Sequence, residues 1–115
     1  MRRGELRMVD FEPIRGTESN KLRPAVIVSN DGANAAAAKL GRGVLTVIPV
    51  TSNVERVYPF QVLIPAEAAG LTRDSKAQAE QVRSLDVQRV GRLLGQLPCE
   101  LMASLEASLR LHLAL

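Results

Sequence analysis

Arg23, Thr51 and Glu18 are the residues whose types and places along the chain could together act on a phosphodiester. Arg23 immediately precedes Pro24. A residue before proline is pushed to extended backbone angles, so the guanidinium has a fixed root at a strand entrance. Thr51 follows Ile48-Pro49-Val50 at the exit of the most β-prone run, with the Ser52 hydroxyl beside it, and Glu18 lies in a polar loop just ahead of Arg23. When an RNA 2′-hydroxyl attacks its adjacent phosphate, charge builds on the nonbridging oxygens, a proton leaves the nucleophile and another reaches the departing 5′ oxygen. An arginine suits the first task and a threonine hydroxyl can donate to a phosphate oxygen. Proton removal falls to Glu18 or to water, because a guanidinium with a pKa above about 12 is a poor base. Each residue also has an ordinary reading: Arg-Pro starts many strands, Thr and Ser close them, and loop glutamates are solvated.

For these groups to meet, the segments between them must fold back on each other. Glu5 to Phe11 alternates like a half-buried strand, closed by Pro13 and Gly16. A polar loop follows, then Pro24 to Asn30 reads as a central strand and residues 34–40 as a short helix capped by Asn34 and stopped by Gly41 and Gly43. Val44 to Val50 is the strongest strand signal, with Pro49 suggesting an edge or a strand terminus. Phe60 to Ile64 and Val90 to Leu94 are further strands, residues 65–73 are irregular or weakly helical, and Asp86 to Arg89 is a turn. Ser75 to Ser84 fits strand or helix equally. From Pro98 on, Leu101, Met102, Leu105, Leu109 and Leu113 form one apolar stripe of a helix that should lie on the sheet. Short strands broken by Gly and Pro with a good terminal helix predict a mainly β (α+β) fold, a compact barrel or strongly bent sheet with helices added.

Composition narrows the function. The chain has 115 residues, 46% hydrophobic and 23% charged, which fits one globular domain and rules out a disordered or fibrous chain. No apolar run approaches the roughly 18 residues of a spanning helix, and the opening Met1-Arg2-Arg3-Gly4-Glu5 leads into mixed polar sequence, so a cytoplasmic protein with no membrane partner is expected. Cys99 and His112 are the lone cysteine and histidine, which gives no internal disulfide and no soft-ligand cluster; no metal or other cofactor is expected. His112 reads as a flank of the packed helical stripe and Cys99 as a packing residue. Lys and Arg number 15 against 12 Asp and Glu, and 12 of the cations are arginine, the side chain that grips phosphate through a planar fork. A polyanion partner fits this balance, as does a solvated surface.

The runs RRGELRMVDFEPIRGTESNKLRPAVIVSND, VIPVTSN, VYPFQVLI and DSKAQAEQVRSLD, in that order, resemble the MazF/PemK family of toxin endoribonucleases over nearly the whole chain. The most specific pieces are Arg-Gly-Glu at the start, Gly-Thr-Glu followed by Arg-Pro, Pro-Val-Thr-Ser, and Glu-Gln-Val-Arg-Ser. The resemblance implies a small barrel related to SH3-like folds and shared in outline with CcdB, and a homodimer. It also implies metal-independent cleavage of single-stranded RNA at a short sequence, leaving a 2′,3′-cyclic phosphate and a 5′-hydroxyl. It implies a cognate antitoxin whose acidic flexible tail covers the basic groove. The family's catalytic Arg and Thr match Arg23 and Thr51, an acidic loop position matches Glu18, and a polar position associated with the site matches Gln81. Two departures stand out: Arg7 where the family usually carries Trp, and Leu22 where some members carry His. Two other functions remain open, a non-enzymatic CcdB-like gyrase poison and an inactive module that binds antitoxin or RNA.

Aromatics are only Phe11, Tyr58 and Phe60, so phosphate contacts must dominate any RNA affinity. Tyr58, in a polar loop, is the stacking candidate, at ~1–3 kcal/mol per base, while Phe11 and Phe60 are expected in the core. Arg56, Arg83 and Arg89 could line an RNA groove or simply face solvent.

Overall fold

The computed structural model describes residues 1–11 and 22–115. Its elements are β1 (Glu5–Asp10), β2 (Leu22–Ile27), α1 (Asp31–Leu40), β3 (Val44–Thr51), β4 (Gln61–Ile64), α2 (Ala66–Ala69), β5 (Ser75–Gln78), β6 (Arg83–Asp86), β7 (Val90–Gln96) and α3 (Cys99–Leu113), with 3-10 turns at Ala79–Gln81 and Val87–Arg89. The strands form one sheet in the order β4-β5-β3-β2-β1-β7, with β6 also on β3. Every pairing among the described residues is antiparallel. The mainly β architecture with a C-terminal helix is the one the sequence predicts.

Alternation along the central strands supplies two cores, one on each face. Leu6, Val26, Ile48 and Val50 point to one side, where Leu101, Met102, Leu105 and Leu109 of α3 cover them. Val9, Ala25, Ile27, Leu45 and Val47 point to the other, under Ala37 of α1 and against Leu85, Val87 and Val90. Each fully buried Leu or Ile contributes ~1.5–3 kcal/mol through its removal from water. Register shifts between β1 and β7, on either side of Arg7, bend the sheet around these cores.

Several boundaries differ from the sequence reading, each for a physical reason. β2 starts at Leu22 and ends at Ile27 instead of running from Pro24 to Asn30. Its first residues are held by β1, and beyond Ile27 the amides of Val28 and Ser29 both turn to the Thr46 carbonyl. α1 begins at Asp31 because Asn30, not Asn34, is its cap, the Asn30 Oδ1 accepting from the Ala33 N–H at 2.8 Å. Asn34 lies one turn in, fully buried, donating to the Ser29 carbonyl at 2.8 Å. Pro49 does not mark an edge: β3 pairs β2 on one side and β5 and β6 on the other. The β6 ladder stops at Val47 and the β5 ladder resumes at Val50, so the proline without an N–H stands where one neighbour hands over to the next.

The same handover settles residues 75–84, which are strand, 3-10 turn and strand in succession. Residues 65–73 contain the short helix α2, the Asp86 to Arg89 turn is a 3-10 turn, β7 runs on to Gln96, and β4 starts at Gln61. Phe60 is left half-buried and stacked on Tyr58 rather than set in the core. Pro98 is the N-cap of α3 and not part of its first turn. Leu113 leaves the apolar stripe, 46% exposed just before Ala114 turns left-handed at φ 59°.

Arg7 is absorbed into the fold. Its Nε donates to Glu5 Oε1 at 2.8 Å and its Nη1 to the Gly91 carbonyl at 3.0 Å, tying β1 to β7. Burial by itself pushes the Glu5 carboxyl up, but the Arg7 guanidinium and the Arg2 N–H bond the charged form and hold it below the ordinary glutamate value. A lowered carboxyl stabilises the fold above its unfolded pKa and loses that contribution as pH falls through the folded value. Glu5→Gln is therefore expected to lower stability at neutral pH and to flatten the acid limb of a urea-midpoint-versus-pH curve; a parallel curve for the variant would contradict this.

Candidate active site

The antiparallel register of β2 and β3 pairs Ala25 with Pro49. Continued by two residues, it sets the start of β2 beside the end of β3, the border positions of Arg23 and Thr51. Both residues line one open cavity of about 320 Å³, with Ser52 on its rim. That volume is at the small end of the ~300–1,000 Å³ of ordinary ligand pockets. Arg23 is exposed and held in the ladder opposite Val9, so the root of its side chain is rigid. Thr51 is half-buried, and its Oγ1 accepts from the Asn53 N–H at 3.3 Å. One lone pair is thereby occupied, and the hydroxyl proton is left for donation.

The rest of the cavity wall was not among the sequence candidates. Leu71, Thr72 and Arg73 come to it from the turn between α2 and β5, and Ser75 is the first residue of β5. That turn is braced at both ends: Asp74 Oδ1 accepts from the Ala66 N–H at 2.9 Å, and the buried Ser75 hydroxyl donates to the Arg73 carbonyl at 3.1 Å. The signal in the sequence was the run Gly70-Leu-Thr-Arg-Asp-Ser75, a turn rich in hydroxyls with one cation.

The cavity wall thus carries two guanidiniums and four hydroxyl-bearing residues, and no carboxylate among the described residues. Neither arginine has an ion-pair partner among those residues. Such a wall attracts anions and offers donors to phosphate oxygens.

The other expected residues stand outside this lining. Glu18 lies outside the described residues. Arg56 and Tyr58 are exposed in the loop between β3 and β4, Gln81 is exposed in the 3-10 turn after β5, and Arg83 is exposed on β6. The Arg83 guanidinium sits 5.5 Å from the centre of the Phe11 ring and donates to the Phe11 carbonyl at 3.4 Å. Arg89 is engaged with Asp10. Among the described residues no group of three or more His, Cys, Asp or Glu is placed to hold a metal ion, and no helix is long and apolar enough to cross a membrane.

Comparison with known proteins bears on the family and the fold. The family model of the PemK-like, MazF-like toxin of type II toxin-antitoxin systems matches residues 2–113. The chain is 56% identical over 115 residues to endoribonuclease MazF9 of Mycobacterium tuberculosis, covering 100% of this chain and 98% of that protein. It is 29% identical to endoribonuclease EndoA of Bacillus subtilis, over 100% of this chain and 96% of that one. Among solved structures, the MazE–MazF complex of Deinococcus radiodurans superposes with a TM-score of 0.81 at 29% identity, covering 100% of this chain and 96% of that chain. With a family match across almost its full length, the chain belongs to the PemK-like, MazF-like toxins of type II toxin-antitoxin systems.

Proposed function

We propose that the protein is a metal-independent endoribonuclease toxin that cuts single-stranded RNA to a 2′,3′-cyclic phosphate and a 5′-hydroxyl. The observation that carries this reading is the shared cavity: the Arg23 guanidinium and the Thr51 hydroxyl line one anion-attracting space. In the reaction the 2′-oxygen bonds to phosphorus and the bond from phosphorus to the 5′ oxygen breaks. The nonbridging oxygens gain charge, which the Arg23 fork neutralises while Thr51 donates a hydrogen bond that keeps the phosphate in line. The 2′ proton goes to Glu18 or to water, and the departing 5′ oxygen takes a proton from water, so one proton leaves and one arrives. Two guanidiniums on the cavity wall are a good setting for phosphate, which they grip through planar forks.

Ser52 on the cavity wall and, beyond the cavity, Arg56, Tyr58, Gln81 and Arg83 form the outer RNA contacts, with phosphate pairing dominant and Tyr58 as the stacking group. The named relatives include a toxin bound to MazE. A cognate antitoxin with an acidic flexible tail is the corresponding partner here, ordering as it covers the basic cavity. The working form is a cytoplasmic homodimer.

The test is to incubate purified protein with a long RNA in excess EDTA and to map the 5′ ends and terminal phosphates. Cuts at one short sequence with cyclic-phosphate and 5′-hydroxyl ends are expected. A strict magnesium requirement or 5′-phosphate ends would overturn the mechanism. Tight RNA binding without cutting would leave a binding module, and inhibition of gyrase without cutting would leave a CcdB-like poison.

A further inference from the structure

Lys76 is a buried lysine next to the cavity that the cleavage chemistry does not use. It lies in β5, directly opposite Thr51 of β3 on one side and Leu63 of β4 on the other. Directly opposed residues of antiparallel strands project to the same face, so Lys76 shares the face of Thr51. Only 8% of it is exposed. An ammonium withdrawn from water must recover its lost solvation from protein groups. Here it donates to the Arg56 carbonyl at 2.6 Å and lies 6.0 Å from the centre of the Tyr58 ring.

Both partners belong to the loop of residues 52–60 between β3 and β4. Tyr58 is further fixed by its backbone N–H on Gln61 Oε1 at 3.1 Å and by a parallel stack on Phe60, with ring centres 5.3 Å apart. It remains 43% exposed. An apolar side chain could fill the same space without losing solvation, but only a donor can pin a carbonyl.

We propose that Lys76 is a positioning residue. Its ammonium locks the loop between β3 and β4 so that the exposed Tyr58 ring stands as a fixed platform for an RNA base beside the linkage held at Thr51. This rests on the endoribonuclease reading above. Lys76 touches no reacting atom; it sets where a base is received, and its loss weakens substrate binding and leaves the chemical step alone.

Tyr58 is the single tyrosine and the chain has no tryptophan. Labelling with 3-fluorotyrosine therefore gives one 19F resonance that reports the platform directly. Lys76→Met is expected to raise KM for a mapped RNA substrate about tenfold, the scale of one lost charge-assisted hydrogen bond, with kcat within about twofold. It should also shift and broaden the Tyr58 resonance, and Lys76→Arg should restore most of both. An unchanged KM, or a fall in kcat at constant KM, overturns the proposal. Should Lys76→Met not fold, the wild type decides: an uncleavable oligonucleotide spanning the mapped site, with 2′-deoxyribose at the cut, must shift the resonance, and no shift overturns the proposal. Thr51→Ala is measured alongside. If it cuts like the wild type, the endoribonuclease reading at this cavity fails and the role of Lys76 fails with it. If it is inactive while Lys76→Met is unaffected, only the role of Lys76 is lost.

Discussion

Replacing Arg23 by alanine is expected to slow RNA cleavage by about 10²-fold or more with the fold retained, the usual scale for a preorganised donor aimed at developing charge. The side chain is exposed and makes no ion pair among the described residues, so its removal leaves no buried charge without a partner. Its backbone stays in the ladder opposite Val9 whatever the side chain. An interaction made mainly in the transition state lowers kcat and kcat/KM together, and that is the pattern expected here. Arg23→Lys keeps the charge but loses the planar fork, so it should recover only part of the rate. The check is single-turnover cleavage of a mapped RNA together with a urea melt. Near wild-type cutting by Arg23→Ala would remove this guanidinium from the mechanism.

The strand borders that carry Arg23 and Thr51 were legible in the sequence because the residues of each strand announce it. A proline fixes the first, and a β-branched run precedes the second. The registers that bring them together follow from the same alternation that fills the two cores. Other features carry no local signature. Asn30 and Asn34 are equally good caps by type, and only burial against Ser29 separates them. Residues 75–84 fit strand or helix because β3 changes partners halfway along, a fact about the neighbour and not about the segment. Nothing local marks Lys76 as buried, because it is the loop of residues 52–60 that covers it. Arg73 was missed because its turn reaches the cavity through backbone packed on backbone, at glycines whose meaning appears only in three dimensions.

That packing leads to the second large effect, at Gly95. A Cβ built there would lie 2.2 Å from the Ala69 carbonyl oxygen and 2.9 Å from its carbon, and one at Gly70 would lie 2.8 Å from the Leu94 carbonyl oxygen. The end of α2 therefore rests directly on the β7 backbone, and no flexible side chain can move aside to make room. Gly95→Ala must lift α2 away from β7, at a cost of about 3 kcal/mol, the upper end of usual overpacking penalties. Gly41 provides the comparison: it has φ 67° and open space around it, so alanine there costs only the left-handed backbone, about 1–2 kcal/mol. The two variants should also differ in function. The chain leaves α2 through Gly70 straight into Leu71, Thr72 and Arg73 on the cavity wall, so lifting α2 moves that wall, whereas Gly41 ends α1 and contributes nothing to the cavity lining. Gly95→Ala is expected to lose both urea stability and kcat/KM at temperatures where it is still folded, and Gly41→Ala to lose stability alone. Full activity in a folded Gly95→Ala protein would mean that the α2 turn does not set the geometry of the wall carrying Arg73, and that Arg23 and Thr51 hold the phosphate without it.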